Sequence, residues 1–567
     1  MSPALVRRAG QVLGGLAGAA AMIAGVTVVS RLLGFARWGV QAHALGSGAI
    51  GGAYNAANTL PNVLFEVAAG GALAGAIVPV LVGPIAARDR RTVDATASAT
   101  LGWTLLVLVP LGLLLAAVSG LVGPLLLRDP DPSQVALVQF FVLVFAVQVP
   151  IYGTTVLLYG VLQAHRKFFW PAFAPILSSV VVIVAYLVYG SLAHGEQDDS
   201  GALEPGALSW LAWGTTAGVA AMCFPMLVPV RRLGVRLRPT LRFPDGVGRR
   251  VRSLAFAGVG AVLAQQLSVL VTMKVAFARG DEGTYSVFLW TQAVYLLPYA
   301  VLVVPLATAT FPRMASRASE GDRAGFAHLA SRTTRAVLAA AAIGAAALAA
   351  AAPAVADLFL KLNQGRSPEL VAAMAPTLSW MLPGLLGFAV VFHGSRSLYA
   401  LERGRLAVAS TAVGWVGAAL AAIALGAWLV PSAPDAPSTL VLLGGASSIG
   451  MLLGGVATLV ALRRAAGPRS LDGLLRTVFV LVAAGVLGAA IGRWVTDSVL
   501  SLSGHGWASA IGAGAGGGVL AALVVAAALL ALDGGTVRDL VRVDQRPAQP
   551  TWRDSPVRRD DRSSDLG

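Results

Sequence analysis

Long apolar stretches broken by short polar loops recur along the whole chain. Stretches long enough to cross a bilayer can be centred in 11–38, 50–83, 96–127, 134–162, 169–193, 206–230 and 253–278, and then in 284–311, 335–360, 370–398, 406–430, 438–462, 474–496 and 505–532. A crossing helix needs about 20 residues. Hydrocarbon offers backbone amides no water, so each stretch is predicted to be helical. The pattern predicts an all-α polytopic membrane protein with about fourteen transmembrane helices. Arg7-Arg8 before an apolar stretch mimics a signal peptide, but the apolar pattern runs on past Arg31 without a clear cleavage site, so it reads as the first span.

Composition agrees. Of 567 residues, 56% are hydrophobic and only 12% charged, whereas soluble domains carry about 25% charge. The 65 glycines lie inside apolar runs without a period, as helices packed closely in lipid require. The 42 Lys+Arg against 27 Asp+Glu would point to nucleic acid in a soluble protein. Here the basic residues fall in alternate loops, and nucleic acid is not an expected partner. Loops after even-numbered spans hold Arg88, Arg90 and Arg91, then Arg166 and Lys167, then eight arginines in 231–252, then Arg313, Arg317 and Arg323. Arg403 and Arg405, and Arg463, Arg464 and Arg469, continue the series. Loops after odd-numbered spans are poor in basic residues and partly acidic. The positive-inside rule then places both termini in the cytoplasm.

A shift of 237 residues brings Arg37 onto Lys274, Leu60-Pro61 onto Leu297-Pro298 and Arg166 onto Arg403. Six helices separate the copies, so both share one orientation, as in transporters that rock one lobe against another. The expected organisation is two six-helix lobes related by pseudo-twofold symmetry, 1–240 (spans 1–6) and 241–468 (spans 7–12), then spans 13–14 in 469–532. A solvated, disordered cytoplasmic tail is expected over 533–567.

The sequence excludes most enzymatic chemistry. One cysteine, Cys223, permits neither an intrachain disulfide nor a cysteine metal cluster. The six histidines have no metal-ligand spacing, there is no Walker motif, and no metal or cofactor is expected. Transport would then depend on the membrane potential, an ion gradient or the substrate's own gradient. Charges within the spans are the candidate site: Arg31 and Arg37 in span 1, Glu66 in span 2, Lys274 in span 7 and Arg396 in span 10. Each costs about 2.5–3.5 kcal/mol near the bilayer centre, so a wet cavity or a partner is required. Arg31 and Arg37 have a plainer alternative, snorkelling from a helix that ends near residue 30, and Glu66 could simply pair with Arg31. Several cations and few anions suit a phosphate-bearing substrate. Asn55, Asn58, Asn62, Gln265, Gln266 and Gln292 suit either sugar and peptide binding or bonds between helices.

Three segments resemble the MurJ/MviN family of lipid II flippases, within the MOP exporter superfamily. Ser30-Arg31-Leu32-Leu33-Gly34-Phe35-Ala36-Arg37 is similar to that family's SRxLGFxR. Thr59-Leu60-Pro61-Asn62-Val63-Leu64 followed by Gly70-Gly71-Ala72-Leu73 and Val78-Pro79 is similar to its second helix, and Pro171-Ala172-Phe173-Ala174-Pro175 to the start of its fifth. The resemblance covers roughly residues 20–530. It implies a multi-pass protein of the bacterial plasma membrane that flips lipid II from inner to outer leaflet by alternating access through a central cationic cavity. The implied partners are lipid II or a related polyprenyl-pyrophosphate glycolipid, membrane lipids, and cell-wall synthesis or division proteins. The family's two first-helix arginines carry over to Arg31 and Arg37. Its basic residues after the LPN motif are replaced by Phe65-Glu66, and its arginine before the span 8 proline is absent, with Gln292 and Ala293 nearby. Lys274 is the candidate replacement. These departures keep two alternatives open, an exporter of another polyprenyl-linked saccharide and a non-transporting scaffold for cell-wall machinery. A cation-coupled drug exporter fits the paired arginines poorly.

Overall fold

A computed structural model describes residues 3–535 except 129–130, 198–202, 204–205, 250, 252–258, 431–432 and 504–505. Twelve helical rods among them are long and apolar enough to cross a membrane. Two further helices, Pro3–Ala44 and a bent one over 49–86, fill the places of the first two predicted spans. Numbered along the chain, these are α1 (Pro3–Ala44), α2 (49–86), α3 (Arg90–Ala117, continued by Ser119–Leu126), α4 (Pro132–Ala164), α5 (Phe169–Leu192), α6 (Ala207–Arg232) and α7 (Val259–Arg279). There follow α8 (Thr284–Ser319), α9 (Arg323–Leu362), α10 (Pro368–Ala400), α11 (Gly404–Leu429), α12 (Ala436–Ala466), α13 (Leu474–Ser503) and α14 (Trp507–Leu532). No strand occurs among the described residues.

Caps mark several rod starts. Asp89, Asp131, Asp322 and Asp435 each accept a backbone N–H from the first turn of α3, α4, α9 and α12. This satisfies one of the donors that a helix start leaves without an intrahelical acceptor. Two rods are irregular at related places. A π turn, Glu66–Gly70, follows Leu60-Pro61 in α2, and another, Tyr299–Val303, follows Leu297-Pro298 in α8. Single π turns are commonly found at functional sites.

Helices α1 to α6 pack chiefly on one another, with α5 against α1 and α6, and α4 against α2 and α3. Helices α7 to α12 do the same around α12, which lies on α10 and α11. The pair α13–α14 packs on α9. Its end departs from the expected tail: Asp533 is only 8% exposed. It accepts from Thr477 on α13 and lies 4.0 Å from Arg335 on α9. A carboxylate so paired belongs to the packed body. The rest of the expected tail, beyond residue 535, lies outside the described residues.

Candidate functional site

Helix α1 runs to Ala44, so the alternative of a helix that ends near residue 30 does not hold. Arg31 lies thirteen residues before that end, about 20 Å along the axis. Trp38, Val40 and Ala42 continue the apolar pattern, and Gln41 hydrogen bonds at the junction with α2, α5 and α8.

Six residues apart on one helix, Arg31 and Arg37 point about 120° from each other, and their surroundings differ accordingly. Arg31 is exposed on α1, and its charge acts on the hydroxyl of Tyr299 at the π turn of α8. Arg396 on α10 acts on the same hydroxyl. Tyr299 is therefore near a cation from each bundle. The Arg396 guanidinium lies 3.5 Å from the centroid of the Phe392 ring and donates to the Phe392 carbonyl. Phe392 and Phe388 both pack on Tyr299, at centroid distances of 5.2 and 4.6 Å. Arg37, half-buried, acts instead on Tyr152 of α4 and Tyr54 of α2. Asn62 hydrogen bonds with Tyr152 and also donates to the Asn58 carbonyl. Phe65 packs on the other side of this group, its ring 5.7 Å from that of Tyr152.

None of Arg31, Arg37 and Arg396 makes an ion pair among the described residues. Glu66, half-buried at the start of the α2 π turn, has none either, so the alternative in which it pairs with Arg31 does not hold. Gln292 is half-buried on α8 and makes no side-chain hydrogen bond among the described residues. His393, beside Arg396 in sequence, is buried and bonded through Nε2 to Thr333.

Lys274 is elsewhere. Its Nζ donates to the carbonyls of Leu125 and Leu126, at 2.7 and 3.2 Å, where α3 ends. A cation suits the carbonyl-rich end of a helix. Lys274 thus ties α7 to α3 rather than joining Arg31 and Arg396.

That tie belongs to a seam the sequence reading missed. At the face opposite the basic loops, Asn55 donates to Ser286 (2.9 Å), Trp290 to Gln41 (3.1 Å), and Thr59 meets Tyr285 (3.1 Å). Asn363 donates to Ser47 (2.9 Å), Ser47 to Ser367 (3.0 Å), and Arg366 to the His43 carbonyl (3.3 Å). Gln134 pairs with Glu282. Each bond joins the first bundle to the second. Two glycines allow the closest approach: a Cβ on Gly52 would fall 2.2 Å from the Glu282 carbonyl oxygen, and one on Gly283 2.0 Å from that of Ser47. The bundles are therefore in backbone contact at this face. The signals for the seam, a buried Gln41 and Asn55 and lone glycines in helix starts, become readable only once the two loops are known to meet.

A sequence model of the family described as "Lipid II flippase MurJ" matches residues 41–505. The chain belongs to the MurJ family. It is 27% identical over 325 residues to a "Probable lipid II flippase MurJ" of Rhizobium meliloti (strain 1021), covering 56% of this chain and 58% of that one. The chain thus spans somewhat more than half the length of that curated relative. With the "Lipid II flippase MurJ" of Burkholderia cenocepacia it shares 26% identity over 400 residues, 67% of this chain and 72% of the other. Among solved structures, "Lipid II flippase MurJ, inward closed conformation" superposes with a TM-score of 0.69 at 17% identity, covering 92% of this chain and 99% of that chain. An inward-facing MATE family transporter of the MOP superfamily reaches 0.62 at 16% identity, covering 80% and 99%. These likenesses agree on the fold, and MurJ family membership with twelve apolar rods makes this a multi-pass membrane protein.

Proposed function

We propose that this protein flips a polyprenyl-pyrophosphate-linked peptidoglycan precursor, the lipid II named in its relatives, across the bacterial plasma membrane. The observation that carries the reading is that Arg31 and Arg396 lie near Tyr299 and Arg37 near Tyr152, and none of the three has a carboxylate partner among the described residues. Guanidinium forks match the oxygens of a pyrophosphate, and cations left without a counter-ion favour an anionic headgroup. Asn62 and Gln292 are placed for the sugar or peptide. Glu66 is the one carboxylate among the candidate site residues and would meet donors of the headgroup. Lys274 is assigned to the outer seam.

In this reading the arginine-rich loops lie on the cytoplasmic face together with both termini, as the positive-inside rule favours. The headgroup would enter from that face, since the opposite one is held shut by the Gly52–Glu282 and Ser47–Gly283 contacts. The two six-helix lobes would then rock about the substrate while the lipid tail stays in the bilayer. The driving force in this reading is the membrane potential, an ion gradient or the substrate gradient, because the chain has no ATP-binding motif. Partner proteins of cell-wall synthesis or division would meet the exposed loops.

The test is complementation of bacteria depleted of their own lipid II flippase, at matched membrane levels. Wild type should rescue growth, and Arg31→Ala and Arg37→Ala should not. Rescue by both variants would remove the arginine mechanism. A scaffold would show the opposite pattern, tolerating these changes and failing when the tail is removed.

A further inference from the structure

The linker that follows α6 is fixed as a single extended strand of backbone, paired into no sheet, although a loop needed only for connection or topology could hang free. Helix α3 offers a stripe of Asp94, Ser98 and Gly102, one helical turn apart, and the linker backbone lies along it. Asp94 Oδ1 accepts the Arg236 N–H at 3.0 Å. Ser98 Oγ accepts the Arg238 N–H at 3.0 Å and donates to the Arg236 carbonyl at 3.1 Å. The Ser98 carbonyl accepts the Thr240 N–H at 3.3 Å. The Trp103 indole donates to the Leu241 carbonyl at 3.0 Å. Gly102 makes the approach feasible, since a Cβ there would fall 2.1 Å from the Thr240 carbonyl oxygen.

An extended backbone sends successive side chains to opposite sides. Val235 is accordingly 5% exposed, and Leu237 packs against the same apolar core. Arg236, Arg238 and Arg242 point the other way and are exposed. Arg231, Arg232 and Arg90 are exposed nearby. None of these six makes an ion pair among the described residues. The strand climbs α3 toward Trp103, which is 45% exposed and has the amphipathic ring that favours a bilayer–water boundary.

We propose that Arg236, Arg238 and Arg242 form a binding strip for the headgroups of anionic phospholipids in the leaflet at the basic face. Basic clusters beside a membrane span attract anionic lipid generally. Here the backbone bonds to α3 hold the guanidinium groups in a row, so fewer degrees of freedom are lost on binding.

The test uses the full-length protein in nanodiscs of phosphatidylglycerol and phosphatidylcholine, with the lipids retained after detergent extraction counted by mass spectrometry. The wild type should retain phosphatidylglycerol selectively and release it as salt rises. The triple variant Arg236→Gln/Arg238→Gln/Arg242→Gln should bind it on the order of 10–100-fold more weakly. Arg463→Gln/Arg464→Gln/Arg469→Gln, with equal charge loss on the same face, should behave as wild type. Gly102→Ala, which displaces the strand and keeps every charge, should also lose retention. Equal loss in both triple variants would reduce the strip to general surface charge. Unchanged retention in Gly102→Ala would overturn the role of the fixed strand. Should the first triple variant fail to fold, salt-insensitive or non-selective retention by the wild type would overturn the proposal.

Discussion

Arg396 shows how one charge is held at membrane depth. Its guanidinium is stacked on Phe392 and bonded to that residue's carbonyl, two contacts that leave other N–H groups available to an anionic acceptor. A stacked planar fork is poorly replaced by a point charge. Arg396→Lys is therefore expected to retain membrane insertion and to lower transport about tenfold or more, while Arg396→Gln lowers it further. A lipid II flipping assay in vesicles checks both, and equal activity of all three proteins would show that Arg396 has no part in transport. The sequence made this residue legible only as an intramembrane charge. That it and Arg31 both lie near Tyr299 depends on how α1, α8 and α10 face each other, and a single sequence does not encode that directly. Lys274 shows the converse. Its position in span 7 resembles that of a cavity cation, yet the free carbonyls at the end of α3, 148 residues away in sequence, claim it.

At the scale of elements, helix existence was readable because apolar length alone decides it in lipid. Terminal details were less so. Helix α1 runs past its apolar stretch to Ala44, and there Gln41 is satisfied by Asn55, Tyr186 and Trp290. The π turns were invisible, since nothing in composition marks where one extra residue enters a turn. The glycines of the seam were equally silent: Gly52 looks like any helix glycine until the α7–α8 loop is laid against it. Replacing it with valine should force the two backbones apart and favour opening at that face. Cysteine labelling at Ser47, measured with a membrane-impermeant reagent, should rise several-fold in Gly52→Val, whereas unchanged labelling would mean that the close approach does not set the closed state.

For the whole molecule, the apolar pattern anticipated the all-helical rods, twelve of which are long and apolar enough to cross a membrane. It said nothing of how α13–α14 attach. The attachment is anchored at one end by Asp533, Thr477 and Arg335. Asp533→Ala leaves the half-buried Arg335 without that carboxylate and should lower stability by about 1–3 kcal/mol, read as earlier thermal unfolding in detergent. Removal of residues 536–567 should leave the unfolding temperature unchanged, and a matching loss there would place the anchor in the tail instead. The seam between the bundles has a kinetic consequence as well. Opening at one face must break a row of side-chain bonds and separate two backbones, whereas opening at the other separates none of these. In the proposed transport cycle this would make the two half-cycles unequal in time, with turnover governed by how often the seam parts.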